Sequence, residues 1–93
     1  MIHAFVLMHV EPQHIAEVAA RTAEFDGVRS AHSVAGGPAD VVAVLAVPDH
    51  QGVATVVTEQ LVTLPGIRST QTMIGFRTYS SEELDAAWEG IGD

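Results

Sequence analysis

The chain has 93 residues, 47% of them apolar, and no cysteine, which excludes disulfides, thiolate metal sites and a cysteine nucleophile. Four arginines, no lysine and twelve acids leave a formal charge of −8, the wrong sign for direct contact with nucleic-acid phosphates. One domain of this size buries only about 60–65% of its unfolded surface, and with so few aromatics its core has to come from Val, Ala, Leu and Ile.

The first apolar run, "IHAFVLMHV", reads as a strand over Ile2 to Val10. No basic region precedes it, as a signal peptide would require, and no apolar run approaches the roughly 20 residues of a membrane span. A cytoplasmic protein is the expectation. Pro12 stands where a first helical turn tolerates it, and Ile15, Val18, Ala19, Thr22 and Phe25 follow at helical spacing. Asp26-Gly27 ends that helix, and "VRSAHSV" makes the second strand, Val28 to Val34. "AGGPAD" is a Gly/Pro turn, and "DVVAVLAV", Asp40 to Val47, is the third strand. A second helix starts with Asp49 as N-cap and carries Val53, Val56, Val57, Leu61 and Leu64 on its apolar face. Its β-branched content means that packing rather than propensity has to hold it. Pro65-Gly66 closes it, and "IRSTQTMIGFRTY", Ile67 to Tyr79, is the fourth strand. The tail, residues 80–93, reads as a short helix with capping-box spacing at Ser80 and Glu83 and with Leu84, Ala87, Trp88 and Ile91 on one face.

Strand, helix, strand, strand, helix, strand is the split β-α-β order, which predicts a ferredoxin-like α+β fold with one four-stranded antiparallel sheet. The expected division is a single domain over 1–93, with a core over 1–79 and the tail over 80–93. Two stretches write the same joint twice, "DGVRSAHSV" from Asp26 and "PGIRSTQTM" from Pro65. In each, a glycine ends a helix and a Val/Ile-Arg-Ser begins a strand, as the two halves of this fold require.

Strand alternation puts Val41, Ala43, Leu45 and Val47 on one face and Val42, Val44 and Ala46 on the other. The first strand likewise puts Ile2, Ala4, Val6, Met8 and Val10 on one side, and His3, Phe5, Leu7 and His9 on the other. Two helices cover one face of such a sheet. A second face in water would be polar, and this one is not, so a second subunit across a two-fold axis is expected to cover it; the alternative is the tail helix of the same chain, which is too short to shield four strands.

The residues offer few candidate sites. Gly36, Gly37 and Asp40 lie on the turn: glycines let backbone amides approach a carboxylate, and Asp40 is placed to hold an ammonium group, a pairing that suits an α-amino acid. The competing reading is a plain hairpin turn with Asp40 capping the loop's own amides. Thr70 and Thr72 share a strand face, where their hydroxyls serve either a polar ligand or ordinary β-propensity. Of the five histidines, His3 and His9 share a face but stand about 20 Å apart along a strand, while His14 and His50 sit at helix starts and His32 lies mid-strand. No compact metal-ligand motif appears, no nucleophile–base arrangement is visible, and neither a metal nor a cofactor is expected.

The stretches "VRSAHSVAGGPADVVAVLAV" and "LPGIRSTQTMIGFRTYS", with the opening "MIHAFVLMHVE" and the end "FRTYSSEELDAAW", resemble the ligand-binding domain of the Lrp/AsnC transcription regulators, in its stand-alone form, over the whole chain. The family's Gly-Pro-aromatic-Asp loop falls on Gly37, Pro38, Ala39 and Asp40, with Ala39 in place of the aromatic, and its Thr-x-Thr falls on Thr70 and Thr72. The resemblance implies a dimeric α+β barrel-type assembly through the sheets and rings of dimers. It further implies amino acids or related metabolites bound between dimers, near that loop and the last strand. Full-length members carry a helix-turn-helix for DNA; here the first strand starts at Ile2, so the sensing and assembly half is what is expected. The leading reading is therefore a non-enzymatic oligomeric effector-binding protein, acting alone or by joining a full-length Lrp/AsnC-type regulator. The alternatives are a small dimeric α+β barrel enzyme of monooxygenase or cyclase type, with His3, His9 and His32 lining a cavity, and a pure assembly adaptor.

Overall fold

The computed structural model describes residues 1–80. The expected tail helix therefore lies outside the described residues, save for Ser80 at its start.

Strand β1 spans Ile2–Val10, and a single 3-10 turn at Pro12–His14 leads into α1, Ile15–Thr22. Strands β2, Val28–Ser33, and β3, Val41–Val47, form a hairpin. Helix α2, His50–Thr55, passes into a π turn at Val56–Gln60 and a 3-10 turn at Leu61–Thr63 before β4, Ile67–Ile74. The sheet order is β2-β3-β1-β4, with every neighbouring pair antiparallel. This is the ferredoxin-like fold expected from the order of elements.

The alternation in the central strands decides where the core sits. Ala4, Val6, Met8, Val41, Ala43 and Leu45 are wholly buried, and each lies one residue from a partner on the opposite face. Val18 and Thr22 of α1 and Val53, Val56, Leu61 and Leu64 of the second helical stretch close over them. Asp49 caps α2 as expected: its Oδ1 accepts from the Gly52 amide at 2.9 Å.

The second helical stretch is not one continuous helix. Val56, Val57, Thr58, Val62 and Thr63 crowd it with β-branched side chains, which lose rotamer freedom against the preceding turn. Thr55 and Thr58 also donate to the carbonyls of Gln51 and Ala54, four residues back. The helix holds because its apolar face is packed, and it changes pitch to keep that face inward. Strand β4 ends at Ile74 rather than Tyr79. Its partner β1 begins at Ile2, so past the Gly75 amide, which donates to the His3 carbonyl at 2.6 Å, the ladder has almost no strand left to pair with. Strand β2 stops at Ser33 and β3 starts at Val41, one residue inside each expected limit.

The doubled joint has a geometric cause. Gly27 and Gly66 have φ of 89° and 95°, which a residue with a side chain adopts only at a cost. Each is followed by a half-buried apolar residue, Val28 or Ile67, packed against the core. Each strand then slips by one residue: Val28 pairs with Leu45 but Ser30 with Val44, and Ile67 pairs with Val10 but Ser69 with His9. Arg29 and Arg68 are thus the extra residues of two β-bulges on the two edge strands, where a bulge turns its side chain out of the ladder.

The other face of the sheet has an apolar centre. Phe5 lies between Val44 and Met73, and Leu7 between Val42 and Gln71. Phe5, Leu7, Val42, Val44 and Ala46 are only half-buried, and Met73 is 53% exposed. Both helical stretches pack on the opposite face.

Candidate functional site

The loop 35–40 is closed by the Val34 amide donating to the Asp40 carbonyl at 3.0 Å. Gly36 and Gly37 form its open tip: a Cβ built on either would meet nothing within 4 Å. Ala39 turns inward and is 5% exposed. Asp40 then ties the loop to β1. Its amide donates to the Met8 carbonyl at 2.9 Å, and its Oδ2 accepts from the Val10 amide at 2.9 Å. Asp40 therefore does cap a backbone amide, but one on the neighbouring strand rather than within its own loop. His9 Nδ1 stands 3.8 Å from the same Oδ2, while Oδ1 makes no hydrogen bond among the described residues.

Arg68 completes this corner. Released from the ladder by its bulge, it donates from Nη2 to Glu11 Oε2 at 3.0 Å. That hydrogen bond and the guanidinium charge hold the Glu11 carboxyl below the usual glutamate range. The same pair raises Arg68, with a further contribution from the Asp40 carboxylate. The corner thus presents two carboxylates and one guanidinium, all partly exposed.

Thr70 and Thr72 pair with Met8 and Val6, whose side chains are wholly buried under the helices. Both threonines therefore take the helix side of the sheet, yet both are exposed, because the helical stretch does not reach over this part of the edge strand. An open groove of about 340 Å³ runs there between the 3-10 turn and β4. Val57, Leu61, Val62 and Ile67 form its apolar wall, and Arg68 and Thr70 its polar side. Thr72 lies beyond the groove.

The five expected site residues are thus split into two groups. Gly36, Gly37 and Asp40 form one, at the end of the sheet on the side of His9. Thr70 and Thr72 form the other, on the opposite face. Arg68, at the edge between them, was not among the residues expected from sequence; its signal was the Arg written at the same place in both joints. The histidines do not converge. His3 Nδ1 contacts Thr78 Oγ1 at 3.3 Å, and His32 Nε2 contacts Ser30 Oγ at 3.0 Å. Among the described residues no group of three His, Asp or Glu is close enough to hold a metal ion. Nor is any helix among them long and apolar enough to cross a membrane.

The Lrp/AsnC ligand binding domain family matches residues 3–84. The chain belongs to that family. This bears out the resemblance carried by the loop and the Thr-x-Thr strand. The Lrp/AsnC domain is a regulatory ligand-binding module and typically not an enzyme. A Thermus thermophilus protein, TTHA0845, is 34% identical, with 86% of this chain and 99% of that one covered at a TM-score of 0.80. FFRP-DM1 is 26% identical over 82% of this chain and 100% of that one, at 0.74. The Neisseria meningitidis transcriptional regulator NMB0573, solved as a complex with L-Met, shares the fold at 17% identity and a TM-score of 0.71. There, 86% of this chain covers 54% of the regulator. No curated protein matches the chain.

Proposed function

We propose that this Lrp/AsnC domain is a non-enzymatic, oligomeric sensor of an amino acid or related small metabolite, with its ligand seats between subunits. The observation that carries this reading is the split of the candidate site. Asp40 and the Thr70–Thr72 pair lie on opposite faces of one sheet, so a pocket using both needs a second chain to bring the missing half. The apolar open face supplies the first contact. Two copies stacked through Phe5, Leu7, Val42 and Val44 bury what a single chain leaves half in water.

In such a seat Asp40 Oδ1 takes the ligand ammonium, the amides of Gly36 and Gly37 face its carboxylate, and the hydroxyls of Thr70 and Thr72 bond its remaining polar atoms. Binding then transmits its signal by favouring one assembly over another. The regulator NMB0573 bound to L-Met supports the ligand class. With a charge of −8 the chain acts on transcription through a DNA-binding partner of the same family, in the cytoplasm, rather than by touching DNA itself.

Sedimentation velocity at micromolar protomer, with and without each common amino acid, tests this together with calorimetry. A dimer or larger ring whose size or stability shifts with one amino acid is expected. A compact single chain, or an assembly indifferent to all of them with no heat of binding, overturns it.

A further inference from the structure

The guanidinium of Arg68 already holds a carboxylate, and that carboxylate belongs to the chain itself. Glu11 Oε2 sits 3.0 Å from Arg68 Nη2, and Arg68 also lines a groove whose apolar side is built from Val57, Leu61, Val62 and Ile67. Both side chains are substantially exposed, at 63% for Arg68 and 37% for Glu11, so neither is locked in place. The bulge leaves Arg68 free of the ladder, with a long side chain able to turn between Glu11 on one side and the groove on the other. Glu11 itself follows directly on β1, and its amide is fixed to the Gly66 carbonyl at 2.8 Å, so its backbone stays beside the start of β4 whichever partner Arg68 takes.

We propose that Glu11 is a built-in competitor for the carboxylate of the effector. When a ligand enters, Arg68 exchanges Glu11 for the ligand's carboxylate, whose remaining lone pairs are left to the Gly36 and Gly37 amides of a second chain, and the ligand's aliphatic side chain lies along Val57, Leu61, Val62 and Ile67. The inference rests on the sensor reading above and narrows it in two ways. It selects α-amino acids with a branched or straight aliphatic side chain, because the groove offers apolar surface and a single cation. It also sets the affinity, because each binding event first breaks an internal ion pair. A guanidinium prefers a carboxylate it can meet with two parallel hydrogen bonds, and only one contact to Glu11 is made here. The exchange therefore favours a ligand free to align both oxygens.

The test uses the full chain, with L-leucine, L-isoleucine and L-valine as probes and L-leucinamide as the probe without a carboxylate. Arg68→Gln is expected to weaken binding of the amino acids about tenfold to a hundredfold. Glu11→Gln is expected to tighten it about twofold to fivefold. Binding of L-leucinamide is expected to be weak and unmoved by either change. Circular dichroism and sedimentation confirm that each variant keeps the fold and assembly; the exposed positions make this the expected result. Opposite signs for the two variants support the exchange. Two losses, or two variants without effect, in a protein that still binds an amino acid overturn it while leaving the sensor reading intact. Failure of the unaltered chain to bind any amino acid instead overturns the sensor reading on which it rests.

Discussion

Three alanine substitutions at positive-φ glycines separate the two reasons why the joint is written twice. Gly66→Ala places a Cβ 2.5 Å from both Cβ and Cγ of His14. Because Cβ itself is in the way, rotating the imidazole does not relieve the clash, and the start of the first helix has to shift. The left-handed backbone adds about 1–2 kcal/mol, and overpacking about 1–3 kcal/mol. The sum, about 2–5 kcal/mol, is a large share of the 5–15 kcal/mol typical of a domain. Gly27→Ala meets Val47 Cγ1 at 2.7 Å, and Val47 is 3% exposed and stiff about χ1. It should cost nearly as much. Gly36→Ala shares the positive φ, at 82°, but its Cβ meets nothing within 4 Å. Only the backbone cost of about 1–2 kcal/mol remains. Urea unfolding at one fixed protomer concentration, fixed because assembly adds to apparent stability, measures all three. Midpoints should fall in the order Gly36→Ala, then Gly27→Ala, then Gly66→Ala as the most damaging. Thermal midpoints should drop by about 4–8 °C per kcal/mol. Equal losses at all three would show that backbone conformation alone matters. A neutral Gly66→Ala would refute the close approach of the joint to the first helix.

Leu7→Asp puts a carboxylate at the centre of the open sheet face, where a single chain leaves the site half in water but a stacked pair would bury it unpaired. It should raise the dissociation constant of the assembly at least a hundredfold without unfolding the chain, as read by sedimentation and circular dichroism; an assembly that survives unchanged would place the interface elsewhere. The Glu11 carboxyl is held below its ordinary value by Arg68, so the ion pair stabilises the fold at pH above the usual glutamate range, and that contribution disappears as pH falls through the lowered value. The stability gap between the native chain and Glu11→Gln, measured by urea at pH 7 and again at pH 3, should therefore close in acid and also narrow in high salt. A gap that widens in acid would mean the pair does not form.

Most of the fold was legible in the order of residues because the governing signals are local. Period-two alternation in "DVVAVLAV" sorts its side chains between faces whatever they meet, and a buried face sets the register once a neighbour is present. Asp49 caps its helix through a bond within three residues, and Gly27 and Gly66 turn the chain into the next strands by backbone freedom, although α1 already ends at Thr22 and the second helical stretch at Thr63, ahead of the glycines expected to close them. Other limits moved because they are set by partners far along the chain. β4 stops where β1 runs out, and the second helical stretch changes pitch because packing overrides its β-branched residues.

The candidate site shows the same division more sharply. That Gly36, Gly37 and Asp40 form a loop, and that Thr70 and Thr72 share a face, follows from spacing. That these two groups lie on opposite faces does not, because it depends on strand order and on which central residues the helices bury. Arg68 illustrates the reason most directly. Its bulge is a register slip between β1 and β4, and its partner Glu11 stands 57 residues away in the chain. A contact at that separation is a property of the assembled sheet, where two strands far apart in sequence meet and bring their charges within hydrogen-bond distance.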